Sequence, residues 1–271
     1  NLQRLISDAD GLKVLHTICS ICAPIINSAL AAIPFSDQQA IAKAQALKTL
    51  SLHGDTAISG IISDWDNFTY LACMAQENDI ASELISRISF QIKQSKFTLK
   101  LDIQKHLIAA TMQEFERRAG QKRKSRAGGN LQDSVEVILE YLNVKLDPNP
   151  HLITGTLEAD LVIKGKNGHS CIVSCKRTGR ERVKQVSVEP AELQKLRIRK
   201  IIWFFTKFDQ SADRVVDLGL RGAVFYLSDN SPEYKELSNQ SRTSKYVFPL
   251  SSIRKSLPKL VNGSISENDG Y

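Results

Sequence analysis

Asp160 and Lys176 stand sixteen residues apart, and the stretch that follows the lysine is charged: Arg177, Arg180, Glu181, Arg182 and Lys184. A carboxylate can bind a divalent cation, which stabilises a pentacovalent phosphate and lowers the pKa of the attacking water. A lysine beside it can hold developing negative charge or orient that water. Together they suit phosphodiester hydrolysis. One acid is too few for a Mg²⁺ site, so a second carboxylate is expected nearby. Glu189, at the start of the helix expected after the basic stretch, is the first candidate for that ligand. Glu192 is the fallback, one turn along, and Glu136, on a preceding helix, is a further candidate. The plainer reading makes Asp160 and Lys176 a surface ion pair, worth under about 1 kcal/mol.

The two residues can meet only if a hairpin brings them together. "GTLEADLVIKG" (155–165) and "HSCIVSCK" (169–176) read as strands with alternating faces around "KNG". On the first, Glu158, Asp160 and Val162 share a face; on the second, Ser174 and Lys176 do. A two-residue Asn167-Gly168 turn would set Asp160 opposite Cys175 and send Asp160 and Lys176 to different sides. A three-residue loop, Lys166-Asn167-Gly168 with Gly168 left-handed, sets Asp160 opposite Ser174. Lys176 is then its diagonal neighbour on the same face, within reach across roughly 7–8 Å of backbone. The three-residue loop is therefore expected.

The surrounding elements follow from hydrophobic spacing. Leu131, Val135, Ile138, Leu139 and Leu142 form the inward stripe of an amphipathic helix beginning near Gly129. Beyond the hairpin come a helix over about 189–199, the apolar strand "KIIWFFT" (200–206), a helix over about 209–219 and the strand "GAVFYLS" (222–228). Continuous apolar strands imply a sheet covered on both faces. The α-β-β-β-α-β order predicts an α/β (α+β) domain with a mixed central sheet flanked by helices. Residues 1–98 read as an all-helical N-terminal domain. Ser36 with Gln39 gives a capping-box pattern, and Ser63–Phe68 would start a further helix in the same way. The domain boundaries expected are 1–98 and 99–271.

Val14–Ile33 is apolar but carries His16, Thr17, Ser20, Pro24, Asn27 and Ser28, so it is a poor membrane span. It reads as a buried helix, broken or kinked at Pro24. His16, Cys19 and Cys22 recur at i+3 steps; with no matching Cys/His pair nearby, they read as a core stripe rather than a metal site.

The 271-residue chain carries a formal charge of +7. Residues 1–98 hold 7 Lys/Arg against 9 Asp/Glu, whereas residues 99–271 hold 29 against 20. The basic excess of the second part points to an anionic partner, nucleic acid first. Six of the ten residues from Arg117 to Arg126 are basic, and this run, including Lys124 and Arg126, reads as a phosphate-contacting segment. Five cysteines in a chain this long do not suggest a disulfide framework and fit a reducing cytoplasm.

The helix with Glu136, the strand with Asp160, "SCK" at 174–176, "RER" at 180–182 and Glu189 occur in an order that resembles the PD-(D/E)xK nuclease superfamily. More narrowly, they resemble the type II restriction endonucleases that recognise CCGG or CCWGG cores. The resemblance covers about residues 126–230. It departs from the superfamily at Ala159, where a proline is usual, and at Ser174, where an acid is usual. In this family that acid comes from the following helix, where Glu189 stands. The resemblance implies Mg²⁺ at Asp160 and Glu189, with Asp160, Lys176, Glu189 and Glu136 catalytic. It implies that Arg180, Glu181 and Arg182 read adjacent C:G pairs in the major groove, since arginine matches guanine O6/N7 and a carboxylate accepts from cytosine N4. Arg177, Lys184 and the 117–126 cluster would hold phosphates without reading sequence. A helical N-terminal part looks more like AgeI or BsaWI, which favours a CCGG core. The family further implies a homodimer on double-stranded DNA, 5′ overhangs, and a restriction-modification role in the prokaryotic cytoplasm. The rival readings are a CCWGG-type core, a repair or methyl-directed nuclease of the same fold, and a non-catalytic DNA-binding protein.

Overall fold

The computed structural model describes residues 9–31, 33, 35–94, 101–147, 159–165, 168–178 and 190–263. Its contacts divide the chain into two compact units: residues 1–38 with 68–126, and residues 39–67 with 127–271. The units interleave in sequence, so the partition by contact differs from one drawn at 98/99.

Four long helices occupy the first half of the chain: α1 (Ala9–Ala31), α2 (Phe35–His53), α3 (Ile58–Gln94) and α4 (Leu101–Tyr141). Each differs from its sequence expectation in the same direction, by running on. The helix α1 passes through Pro24 without ending there. Phe35 already opens α2, so Ser36 lies inside the helix rather than capping it. A 3-10 turn at Gly54–Ala57 leads into α3, which spans Ser63–Phe68 without a break. The reason is burial: Ile58, Ile61, Ile62 and Trp65 recur at i, i+3, i+4 and i+7 and are all buried. The helix α4 likewise continues through Gly128 and Gly129, where a boundary was expected. Two interior glycines weaken a helix by about 0.5–1 kcal/mol each, which the packing of Ala127, Leu131, Val135, Ile138 and Leu139 overrides. Leu142, beyond the last turn, is only partly buried.

In the first unit, Ile26 and Leu30 of α1 pack with Leu84, Ile88 and Ile92 of α3 and with Leu107, Phe115 and Ala119 of α4. Glu77 is buried in this unit against Arg123 at 2.6 Å and Arg126 at 3.6 Å.

The second unit holds a five-stranded mixed sheet in the order β1 (Leu161–Lys164), β2 (Ser170–Lys176), β3 (Ile198–Phe205), β4 (Ala223–Leu227) and β5 (Val247–Pro249). The β1–β2 pair is antiparallel and the other three pairs are parallel. Crossovers run through α5 (Pro190–Lys195), α6 (Ala212–Leu220) and α7 (Pro232–Ser238), and α8 (Ile253–Asn262) follows β5. On β3, Ile201, Trp203 and Phe205 face one cluster with Phe225, Leu227 and Val247. Phe204 faces the other way and stacks on Tyr226 at 5.4 Å, whose hydroxyl is 2.7 Å from Ser256 Oγ on α8. Both faces are thus filled, as the apolar strands required. The helix expected over 189–199 is shorter among the described residues, because the chain turns at Arg197 in a left-handed conformation (φ 54°). Its N–H bonds Gln194 O at 3.0 Å. Beyond residue 230 the chain adds α7, β5 and α8.

Candidate active site

The hairpin register decides what Asp160 meets. Leu161 pairs with Val173 and Lys164 with Ser170. Gly165 N–H donates to His169 O at 2.8 Å, so three residues separate this closing pair. Gly168 has φ 72°, the left-handed value that only glycine adopts without strain. This is the three-residue loop and the register expected.

One residue before β1, Asp160 donates its own N–H to Val173 O at 3.1 Å. Its carboxylate turns toward β2, where Oδ2 accepts from Lys176 Nζ at 2.8 Å and from Cys175 N–H at 2.7 Å. Ser174 Oγ lies 3.5 Å from the same oxygen. Among the described residues, Oδ1 accepts no hydrogen bond and remains open to a cation. The Lys176 side chain is 14% exposed and that of Asp160 24%, so solvent screens the pair only in part.

Gln132 links Glu136 of α4 to the hairpin. Gln132 Nε2 donates to Glu136 Oε1 at 3.1 Å and to Asp160 O at 3.4 Å. The buried Cys175 thiol registers these charges. Burial first, then Asp160 and Glu136, push it well above the ordinary thiol range, against the opposing effect of Lys176. Beside Glu136 lies a cavity of about 250 Å³, lined by Gln39, Lys43, Trp65, Asp133, Glu136 and Glu140, among others. Burial, and then the charge of Glu136, raise the carboxyl pKa of half-buried Asp133, although Gln39 donates to it.

The remaining expected residues fall into two sets. Arg180, Glu181, Arg182, Lys184 and Glu189 lie outside the described residues, as does the side chain of Glu192. Among the described residues, no three His, Cys, Asp or Glu side chains gather as a metal site. Arg177 is described, and its guanidinium is 3.6 Å from Asp66 Oδ2. The basic run on α4 is largely engaged within the protein. Arg117 and Arg118 bond Glu114, which they hold down at a pKa of about 2. Arg123 pairs with Glu77 and Glu116. Arg126, only 11% exposed, donates to Leu30 O at 3.1 Å and lies 3.6 Å from Glu77 Oε1. Lys122 and Lys124 are exposed. His16 is exposed rather than part of a core stripe. The side chains of Cys19 and Cys22 lie outside the described residues.

Sequence reading missed Gln132 and Asp66. The one available signal for Gln132 was its spacing, four residues before Glu136 on one helix face. For Asp66 there was none.

The mixed sheet and its flanking helices match the fold of solved restriction endonucleases. The chain superposes on metal-depleted Ecl18kI in complex with uncleaved DNA with a TM-score of 0.56 and 18% identity, over 90% of this chain and 88% of that one. It superposes on the complex of the restriction endonuclease PspGI with substrate DNA with a TM-score of 0.58 and 12% identity, over 83% and 93%. A further Ecl18kI complex, with uncleaved, modified DNA, gives 0.54. At these identities the likeness is one of fold. No protein-family model and no curated protein sequence matches the chain.

Proposed function

We propose that the protein is a sequence-specific, Mg²⁺-dependent endonuclease of double-stranded DNA, of the type II restriction class. The observation that carries this is the 2.8 Å contact between Lys176 Nζ and Asp160 Oδ2 at the hairpin end of a restriction-endonuclease fold. The solved neighbours are themselves complexes with DNA. Asp160 Oδ1, Glu136 and Glu189 would hold the cation, and hard carboxylate oxygens suit Mg²⁺. When bound there, Mg²⁺ supplies Lewis-acid stabilisation of the phosphate and a water of lowered pKa. Asp160 orients Lys176 through Oδ2 and leaves Oδ1 for the metal. The Lys176 ammonium then faces the scissile phosphate and its attacking water. Arg180, Glu181 and Arg182, a few residues beyond β2, read C:G pairs; Arg177, Lys184 and Lys124 contact phosphates. All of these residues fall within 99–271. A palindromic site calls for a homodimer with one active site per strand, leaving 5′ overhangs and working in the prokaryotic cytoplasm.

The first reading of the core is CCGG, the alternative CCWGG. The argument for CCGG was the helical N-terminal part.

Incubation of the full chain with plasmid DNA and Mg²⁺ should give discrete fragments, and end-mapping should place every cut at one palindrome. Ragged or methylation-dependent ends would favour a repair or methyl-directed enzyme. Specific binding without cleavage in Mg²⁺ or Mn²⁺ would leave a non-catalytic DNA-binding protein.

A further inference from the structure

We infer that Gln132 is a positioning residue that ties the helix carboxylate Glu136 to the Asp160 strand so that both acids face one cation; this rests on the proposed metal-dependent site. The Gln132 amide nitrogen has two hydrogens, and it serves two acceptors, Glu136 Oε1 at 3.1 Å and Asp160 O at 3.4 Å. A carboxylate and a carbonyl only accept, so the amide orientation is determined by its partners. Gln132 and Glu136 are one helical turn apart on α4, whereas Asp160 belongs to the hairpin. One side chain therefore connects the two elements that carry the acids.

Glu136 has a competing environment. It borders the cavity that also holds Lys43, Asp133 and Glu140. Lys43, paired with Glu140 at 2.9 Å, offers a cation on that side. Asp133, whose carboxyl is raised by burial and by Glu136, offers repulsion there. A donor on the hairpin side selects which way the Glu136 carboxylate points. Partners in this position orient metal ligands, and their removal typically weakens metal affinity by about 10–100-fold.

Gln132→Met keeps side-chain length and helix propensity and removes the donor. Mn²⁺ binding to the full chain without DNA, followed by calorimetry, should weaken about tenfold, with the melting temperature and metal-free DNA binding close to wild type. In cleavage assays the half-saturating Mg²⁺ concentration should rise by a similar factor, and excess Mg²⁺ should recover most of the rate. A merely structural glutamine would lower stability without moving the metal dependence. In a Glu136→Gln background, adding Gln132→Met should weaken Mn²⁺ binding no further. Unchanged Mn²⁺ affinity in Gln132→Met, or full additivity with Glu136→Gln, would overturn the inference. A wild-type protein that binds Mn²⁺ but never cuts DNA would refute the nuclease reading instead and leave the calorimetric test of Gln132 intact.

Discussion

Lys176 Nζ lies 2.8 Å from Asp160 Oδ2, and the Cys175 N–H that precedes the lysine binds the same oxygen at 2.7 Å. One carboxylate oxygen is thus fixed by two donors from β2, while its twin accepts no hydrogen bond among the described residues. If the lysine faces the phosphate, Lys176→Ala removes charge stabilisation made chiefly in the transition state. We expect plasmid cleavage to fall by about 10²–10³-fold or more, with DNA binding retained in a gel-shift without metal. Cutting at the wild-type rate would dismiss the assignment.

The hairpin loop sets this contact. Gly168→Ala tests the loop. At φ 72° an alanine is strained by about 1 kcal/mol, and its Cβ would sit 3.3 Å from Arg197 Nη1. Melting should occur a few degrees lower, with activity reduced only in proportion to the folded fraction.

Gly128 and Gly129 offer the opposite sign. Apart from their own helix backbone, no described atom lies within 4 Å of a Cβ added at either, and both sit inside α4. Alanine at each should stabilise the protein by about 0.4–1 kcal/mol, largely by restricting the unfolded chain. Denaturant titration of the single and double variants measures this, and a loss of stability would show that these positions need glycine.

Asp133 makes stability depend on pH. Its folded pKa is raised by burial and by Glu136, so folding favours the protonated form. The ionised carboxylate therefore opposes folding at neutral pH, and the penalty shrinks as pH falls through the raised pKa and is gone below the ordinary carboxylate pKa. Asp133→Asn should raise the melting temperature near pH 7, and the gain should shrink on acidification and vanish below the ordinary pKa. A gain independent of pH would place its origin elsewhere.

Much of the site was legible in the letters because its parts are local. Strand alternation assigned faces to Asp160 and Lys176, and the only loop that brings them together carries its glycine where φ must be positive. The apolar runs at 200–206 and 222–228 required a sheet covered on both sides. Helix boundaries were not legible. The capping signals at Ser36 and Ser63 and the breakers Gly128 and Gly129 are worth about 1 kcal/mol each, and Pro24 inside its helix about 3 kcal/mol. The burial of Ile58, Ile61, Ile62 and Trp65, or of Leu131 through Leu139, outweighs them.

The basic run at 117–126 shows the same limit. Composition alone places six cations on a helix, but only the tertiary structure decides which of them face Glu77, Glu114 and Glu116 and which, like Lys122 and Lys124, face water. Gln132 marks it too, because a neutral amide has no sequence signature of its own until the fold sets an acid on either side of it. The sequence by itself determined the hairpin pair, since register follows from a period of two and one loop length. That Gln132 of α4 meets Asp160 of the hairpin depended on a contact between residues 28 positions apart. No local pattern encodes such a contact.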